Sequence, residues 1–497
     1  MSLSPNEIAA LLPVAIPAAV ACVLPIAALD KDQGTQKWIR GAMFVATLVA
    51  LAGAFLYLSR LWSSGMQPSL GHLRMDRLSQ FTGIFVLVTG ALTVLQLWDH
   101  LHQEGWVKGE ILSLLLLSIT GMMIFSGTTH LLLLFLGLEL LSIPLYALTA
   151  SVRMRATALE GGMKYFLTGA VAAACFLMGS ALIYGTTGTL DAAEAGRRLL
   201  AGTLDPLATA GAALLLLGFL FKVSAVPFHQ WTPDVYEAAP HPITAFMSVA
   251  TKGVALVALL RIFPLSLAPV GPLDAKMKSA LAVLAVLTLV IGNLTALAQR
   301  DVKRILAYSS ISHAGYLLLG FVAGTEQAHA AVLFYLVGYL AMNMGAFGLL
   351  TVLGLVGDRT GLEHLRGKGW ARPEAGFAAI LCLFSLAGIP PMAGFFGKYM
   401  IFKELILQGH VGLAVVGVLA SLVSMGYYLR IVIALFLEKP SETQLQEEAE
   451  RPAPVTALSG ATLLVSAAMV LVIGLFPGLI MNGFALRALH DVKQMIP

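Results

Sequence analysis

Charged residues are scarce in this sequence. Only 12% of its 497 residues are Asp, Glu, Lys or Arg, whereas a soluble globular domain contains roughly 25%. Hydrophobic residues make up 58% of the chain, and its mean hydropathy is +0.84. The formal net charge of +4 is small, so we expect no nucleic-acid partner. The composition excludes a soluble fold and predicts an all-α polytopic protein of the lipid bilayer.

Cysteine is rare as well, and the motifs of most enzymes are missing. Cys22, Cys175 and Cys382 occur singly inside apolar runs, so they form neither a metal-binding pair nor an iron–sulfur spacing. There is no P-loop, no HExxH sequence and no dinucleotide-binding glycine motif. We therefore expect no cofactor or metal in this chain, and no bond-breaking chemistry of its own.

Apolar stretches of about 20 residues, the length that crosses a bilayer, predict about fourteen spans. They lie near residues 8–29, 38–61, 77–98, 110–127, 130–150, 161–186, 206–226, 242–264, 279–299, 302–322, 327–357, 376–409, 411–437 and 455–486. Lys and Arg are more frequent in the loops on the side away from the termini. By the positive-inside rule, both termini should then lie on the non-cytoplasmic side.

Two stretches are interrupted by proline. Pro227 lies in GFLFKVSAVPFHQW, and Pro390 and Pro391 lie in FSLAGIPPMAGFF. Proline removes a backbone donor and breaks a helix, which is tolerated in a membrane only where protein or water meets the freed groups. The breaks occupy the fourth place in two consecutive sets of five spans, a pattern typical of inverted repeats. Four regions are predicted: three N-terminal spans in 1–109, repeats in 110–264 and 265–437, and an acidic loop with a last span in 438–497.

Four charged side chains fall inside or beside predicted spans: Glu139, Lys222, Lys252 and Lys398. Each costs at least about 2.5–3.5 kcal/mol if it stands unpaired at a helix centre. A Glu139–Lys222 ion pair would relieve part of this cost, and such a bridge could serve packing alone. It leaves the other two lysines without an acid. This excess of buried lysine favours a proton path.

Two histidines are candidates for a proton relay. His313 lies in SSISHAGYLLLGF, and His229 lies beside the first break. Imidazole changes its charge near neutral pH, which suits proton transfer. Each could equally be hydrogen-bonded to a neighbour without any role in transfer.

With these residues assembled, the sequence resembles the antiporter-like membrane subunits of proton-pumping NADH:quinone oxidoreductase (respiratory complex I). The similarity is carried by five stretches: GLELLSIPLYAL (137–148), LEGGMKYFLTGA (159–170), GFLFKVSAVPFHQWTPDVYEAAPHPITAF (218–246), RDVKRILAYSSISHAGY (300–316) and FSLAGIPPMAGFFGKYMIF (384–402). The residues of these stretches are most similar to those of subunit N of that complex, and the sister subunit M is the next most similar.

This resemblance implies roles for individual residues. Glu139 and Lys222 match the Glu–Lys pair that couples signals to pumping, Lys252 the central lysine, and Lys398 the broken-helix lysine of the second half. It also implies a place in the bacterial inner membrane beside sister antiporter-like and peripheral subunits. Those subunits would hold NADH, FMN, the iron–sulfur clusters and the quinone.

Two other functions remain open at this point. Subunits of multisubunit Na⁺/H⁺ antiporters are similar in fold and in their buried Glu and Lys. A membrane scaffold with no ion path would also explain buried charges that only fix packing.

Overall fold

The computed structural model describes residues 4–27, 33–103, 109–152, 154–202, 205–355, 359–440 and 457–489. Within these ranges the chain is helical apart from one short antiparallel hairpin, formed by β1 (Ser69–Leu70) and β2 (Leu73–Arg74). Most of the predicted acidic loop falls on residues 441–456, outside the described part of the chain.

The helices are as follows: α1 Pro5–Ala27, α2 Gln33–Ser64, α3 Arg77–Gln103, α4 Gly109–Ser126, α5 Leu131–Thr149, α6 Ala156–Thr187, α7 Ala192–Ala201, α8 Pro206–Val223, α9 Trp231–Ala238, α10 His241–Phe246, α11 Lys252–Ile262, α12 Pro272–Ala298, α13 Val302–Ala323, α14 Glu326–Val352, α15 Lys368–Ala371, α16 Pro373–Ala387, α17 Ala393–Leu407, α18 Val411–Phe436, α19 Ala457–Leu475 and α20 Pro477–Ile480. A π-helical turn, Met247–Thr251, joins α10 to α11, and a second, Phe263–Leu267, follows α11.

Thirteen of the described helical segments are long and apolar enough to cross a membrane. The consecutive half-helices α16 and α17 make a further crossing, which confirms the prediction of about fourteen spans. The last span ends at Leu475, earlier than expected. Its end has a local cause, because Pro477 follows and restricts the backbone of the residue before it.

Three helical segments form the centre of the bundle. The segment from His241 to Leu267, which contains α10 and α11, is wholly enclosed, and α13 and α14 are nearly so. The outer helices α1, α2, α6, α12 and α18 bury only about a third of their most apolar stretch. Their outward faces carry large apolar side chains, as expected for contact with lipid or with other membrane subunits. Lys252 therefore starts the most deeply enclosed helix.

Both predicted helix breaks are present. α8 ends at Val223 and is followed by Ser224, which has a left-handed φ of 66° and accepts a hydrogen bond from the Thr232 hydroxyl at 2.7 Å. α16 ends at Ala387, and Gly388 follows with a φ of 93°. Each break contains one cis X–Pro bond, Val226–Pro227 and Pro390–Pro391. The chain resumes as α9 after the first break and as α17 after the second.

One buried ion pair crosses the bundle that the structure describes. The Arg261 guanidinium donates to both carboxylate oxygens of Asp76 at 2.6 Å and to the Ser79 hydroxyl at 3.0 Å. Both charged side chains are almost fully buried. In this bidentate geometry, each carboxylate oxygen of Asp76 accepts a hydrogen bond from the guanidinium. The pair fixes the end of α11 to the start of α3, and sequence analysis did not predict it.

We expect Arg261→Met to destabilise the protein by about 3–5 kcal/mol, because it leaves the Asp76 carboxylate buried and unpaired. The double variant Asp76→Leu/Arg261→Met removes both charges and should lose much less. Thermal unfolding of the detergent-solubilised chain measures the difference. Equal losses in the single and double variants would contradict this role for the pair.

Candidate functional site

The second helix break places Lys398 against the end of a half-helix. Lys398 is in the second turn of α17, and its ammonium donates to the backbone oxygens of Leu386 at 3.0 Å and Ala387 at 3.1 Å. These are the last carbonyls of α16, which have no partner within their own helix. A helix C-terminus also carries partial negative charge, so it favours a cation. The break thus supplies the lysine with acceptors that a continuous helix would not offer.

Lys222 has a different environment. It lies in the last turn of α8 and is 4% exposed, and its ammonium has no hydrogen-bond partner among the described residues. Three aromatic rings surround it instead. The ammonium lies 5.3 Å from the centre of Tyr165, 5.5 Å from Tyr146 and 5.6 Å from Phe221. Such cation–π contacts stabilise an ammonium less than a contact with a carboxylate would.

The direct Glu139–Lys222 ion pair expected from the sequence is not formed. No salt bridge joins the two residues in the described part of the chain, although Glu139 is within electrostatic range of Lys222. The reason is the helix order: α5 packs on α4 and α6, whereas α8 packs on α6 and α11. The rings of Tyr146 and Tyr165, 4.7 Å apart, both lie beside the Lys222 ammonium. Glu139 is only half-buried.

Lys252 lies at the centre of the bundle, where the π-helical turn ends and α11 begins. Its ammonium donates to the backbone oxygen of Ser310 at 2.6 Å and to the Ser310 hydroxyl at 2.5 Å. The Tyr339 hydroxyl donates to the same hydroxyl at 2.8 Å. Lys252 is 1% exposed, so these contacts stand in for its hydration shell. The central lysine is connected to two other helices by hydroxyl groups.

His313 continues this polar row along α13. One ring nitrogen, Nδ1, is 2.6 Å from the Tyr335 hydroxyl, and Nε2 is 3.1 Å from the Tyr428 hydroxyl. The ring also lies against Tyr339 and Tyr316, with centroid distances of 5.2 and 5.8 Å. The Lys398 ammonium in turn lies 4.6 Å from the centre of the Tyr316 ring. Lys252, His313 and Lys398 thus belong to one buried cluster.

His229 stands apart from this cluster. It is half-buried beside Pro227, and its Nδ1 atom has no hydrogen-bond partner among the residues covered by the structure. No described hydrogen bond connects it to Lys222 or to His313. The structure therefore does not bring this predicted relay residue to the others.

The connecting hydroxyls were missed from the sequence. Ser310, Tyr335, Tyr339 and Tyr428 are common residue types in apolar helices, and none of them is ionised at neutral pH. One signal was available: Tyr335 and Tyr339 are four residues apart and so share one face of α14. No cluster of three or more His, Cys, Asp or Glu that could hold a metal ion occurs within the described ranges.

Comparisons with known proteins agree with this geometry. The family described as NADH:quinone oxidoreductase/Mrp antiporter, TM, matches residues 113–424. NADH-quinone oxidoreductase subunit N of Trichlorobacter lovleyi is 38% identical over 478 residues, covering 96% of each chain. The chain belongs to the subunit N family of NADH-quinone oxidoreductases. The resemblance seen in the sequence is thereby confirmed.

Solved structures extend the subunit N assignment to the fold. A chain of respiratory complex I from Thermus thermophilus is 36% identical and gives a TM-score of 0.79, covering 95% of this chain and 99% of that one. A chain of the Mrp complex from a Dietzia species gives a TM-score of 0.85 at 21% identity and covers both chains fully. At that identity the second likeness concerns the fold alone.

We expect Lys222→Met to leave the stability of the chain unchanged or to raise it. A buried ammonium without a hydrogen bond is unfavourable, and methionine keeps similar length and packing. The unfolding temperature of the solubilised chain tests this, with Lys278→Met as the control, because Lys278 has a partly exposed bridge to Asp274. A loss as large as that of Arg261→Met would mean that Lys222 has a strong partner.

Proposed function

We propose that this chain is a proton-translocating membrane subunit of an NADH:quinone oxidoreductase. The observation that carries the proposal is the buried cluster of Lys252, Ser310, Tyr339, His313 and Lys398 at the centre of a subunit N fold. Buried ionisable groups in membrane helices are typical of proton and ion paths. The chain is a multi-pass integral membrane protein whose charges do not all serve packing.

The cluster has the parts that proton transfer requires. A lysine can take up and release a proton, and a hydroxyl can accept one proton while it donates another. A proton leaving Lys252 has the Ser310 hydroxyl within reach, and Tyr339 is the next hydroxyl. His313 accepts or donates at both ring nitrogens. Each base is protonated again when the next proton arrives, so the same groups can carry out another transfer.

Redox chemistry belongs to other subunits in this proposal. NADH, FMN, the iron–sulfur clusters and the quinone would be bound by peripheral and neighbouring membrane subunits. Sister antiporter-like subunits would flank this chain in the bacterial inner membrane. The two repeats, 110–264 and 265–437, would act as two linked halves of the path, with Glu139 and Lys222 in the first half and Lys398 in the second.

In an assembled complex, we expect Lys252→Ala to lower proton pumping by about tenfold or more, since it removes the central proton carrier. Pumping into inside-out vesicles is measured against NADH-driven quinone reduction, with Lys278→Ala as a surface control. Full pumping by an assembled Lys252→Ala complex would favour a scaffold. If deleting the gene abolished Na⁺/H⁺ exchange but left NADH-driven quinone reduction intact, the antiporter alternative would replace the proposal.

The charge of the loops leads us to propose that both termini face the non-cytoplasmic side. Alkaline phosphatase fused after the last residue should be active, since this enzyme folds only after export. A matched fusion after Arg372, in a loop on the opposite side, should be inactive. The reverse pattern would show the opposite orientation.

A further inference from the structure

One buried lysine is not used by the path described above. Lys303 lies in the first turn of α13 and is 1% exposed. Its ammonium donates to the backbone oxygens of Glu237 and Ala239, both at 2.6 Å. These carbonyls belong to the end of α9, the half-helix that follows the first break. Lys303 thus donates to carbonyls at the end of a half-helix, as Lys398 does at the end of α16.

Arg304, the next residue in the chain, lies nearer the protein surface. Arg304 is only partly buried and forms salt bridges with Asp234 at 3.0 Å and Glu237 at 2.6 Å. Asp234 also binds the exposed Lys164. The surface charges are therefore paired among themselves. Lys303 points inward from this network, so it lies between solvent-facing groups and the centre of the bundle.

Two hydroxyl groups, those of Tyr236 and Ser310, are candidates for a link between Lys303 and the central lysine. Tyr236 directly precedes Glu237 and is fully buried, and its hydroxyl has no hydrogen-bond partner by distance and angle within the described ranges. It lies near Ser310, the residue that holds Lys252, and within electrostatic range of Tyr339. Ser310 is seven residues after Lys303 on α13. The two therefore share one helix face, about 10 Å apart along the axis.

We propose that Lys303 takes up protons at this end of the bundle and passes them through Tyr236 and Ser310 to Lys252. This inference rests on the proposed function. In each transfer, the Lys303 ammonium gives one proton to the Tyr236 oxygen, and the tyrosine gives its own to Ser310. Ser310 gives its own proton to a neutral Lys252 amine. One proton moves, and both hydroxyls end as they began.

Other charged and titratable groups surround the uptake residue. On the surface side they are Glu160, Lys164, Asp234, Glu237 and Arg304, and on the inner side they are His100 and His241, which are also within electrostatic range of Arg155. His100 and His241 have ring centroids 5.4 Å apart and are within electrostatic range of Lys303.

A purely structural role for Lys303 makes a different prediction. A lysine that donates to the final carbonyls of α9 acts as a helix cap. Arginine keeps the positive charge and can donate to the same carbonyls, but it does not release its proton at physiological pH. Lys303→Arg therefore separates the two roles: a cap tolerates it, and a proton-uptake residue does not.

The test uses the whole complex in inside-out vesicles, with pumping measured as the pH on the uptake side is varied. We expect Lys303→Arg to assemble and to pump about tenfold more slowly, with a pH profile that differs from the wild type's because arginine does not titrate on the uptake side. Tyr236→Phe should also pump about tenfold more slowly, since it removes only the hydroxyl. Lys278→Arg and Tyr184→Phe, both away from the route, are matched controls and should behave as wild type.

Wild-type pumping and an unchanged pH profile in assembled Lys303→Arg would overturn the inference. If that variant does not assemble, Tyr236→Phe decides: slowed pumping supports the route, and normal pumping overturns it. A wild-type complex that moves no protons, or normal pumping by Lys252→Ala, would refute the proposed function itself. The two failures are therefore distinguishable.

Discussion

The hydrogen bond between a buried ammonium and a backbone carbonyl is the interaction on which this interior depends. Lys398, Lys303 and Lys252 each donate to at least one main-chain oxygen. For the first two, these oxygens lie at or just beyond the end of a half-helix and have no partner within it. At the second break, the last carbonyls of α16 and the Lys398 ammonium therefore satisfy each other. A broken helix needs donors, and a cation at membrane depth needs acceptors.

This arrangement differs from that of the buried ion pair. Asp76 and Arg261 satisfy each other, so the pair stays charged and fixes two helices. A lysine held by neutral carbonyls has no full negative charge to keep its proton. Lys222 contacts aromatic rings and has no hydrogen-bond acceptor among the described residues, although Glu139 is within electrostatic range. The described part of the bundle therefore contains one bidentate ion pair and several buried ammonium groups that face neutral acceptors or aromatic rings.

Much of the fold could be predicted because it depends on local sequence. Span length follows from apolar stretches, and both breaks follow from Pro227 and from Gly388 with its two following prolines. Lys222, Lys252 and Lys398 were visible as isolated charges in or beside apolar runs, whereas the buried Lys303 lies among other charged residues. The partners of these lysines could not be predicted in the same way. Ser310 is 58 residues from Lys252, and Arg261 is 185 residues from Asp76. Such contacts depend on helix order in three dimensions.

The Glu139–Lys222 pair shows where sequence reasoning stops. Both residues were predicted to be charges at membrane depth, but α6 packs against both of their helices and no salt bridge joins them in the described part of the chain. The sequence by itself identified Lys222, Lys252 and Lys398 as buried cations, because the cost of a charge in an apolar segment is a local property. It did not identify Arg261 or Lys303, which the fold also buries. Only the tertiary structure decided what each cation touches. Successive residues of a helix point in directions about 100° apart, so the neighbours of a side chain depend on how its helix is oriented in the bundle.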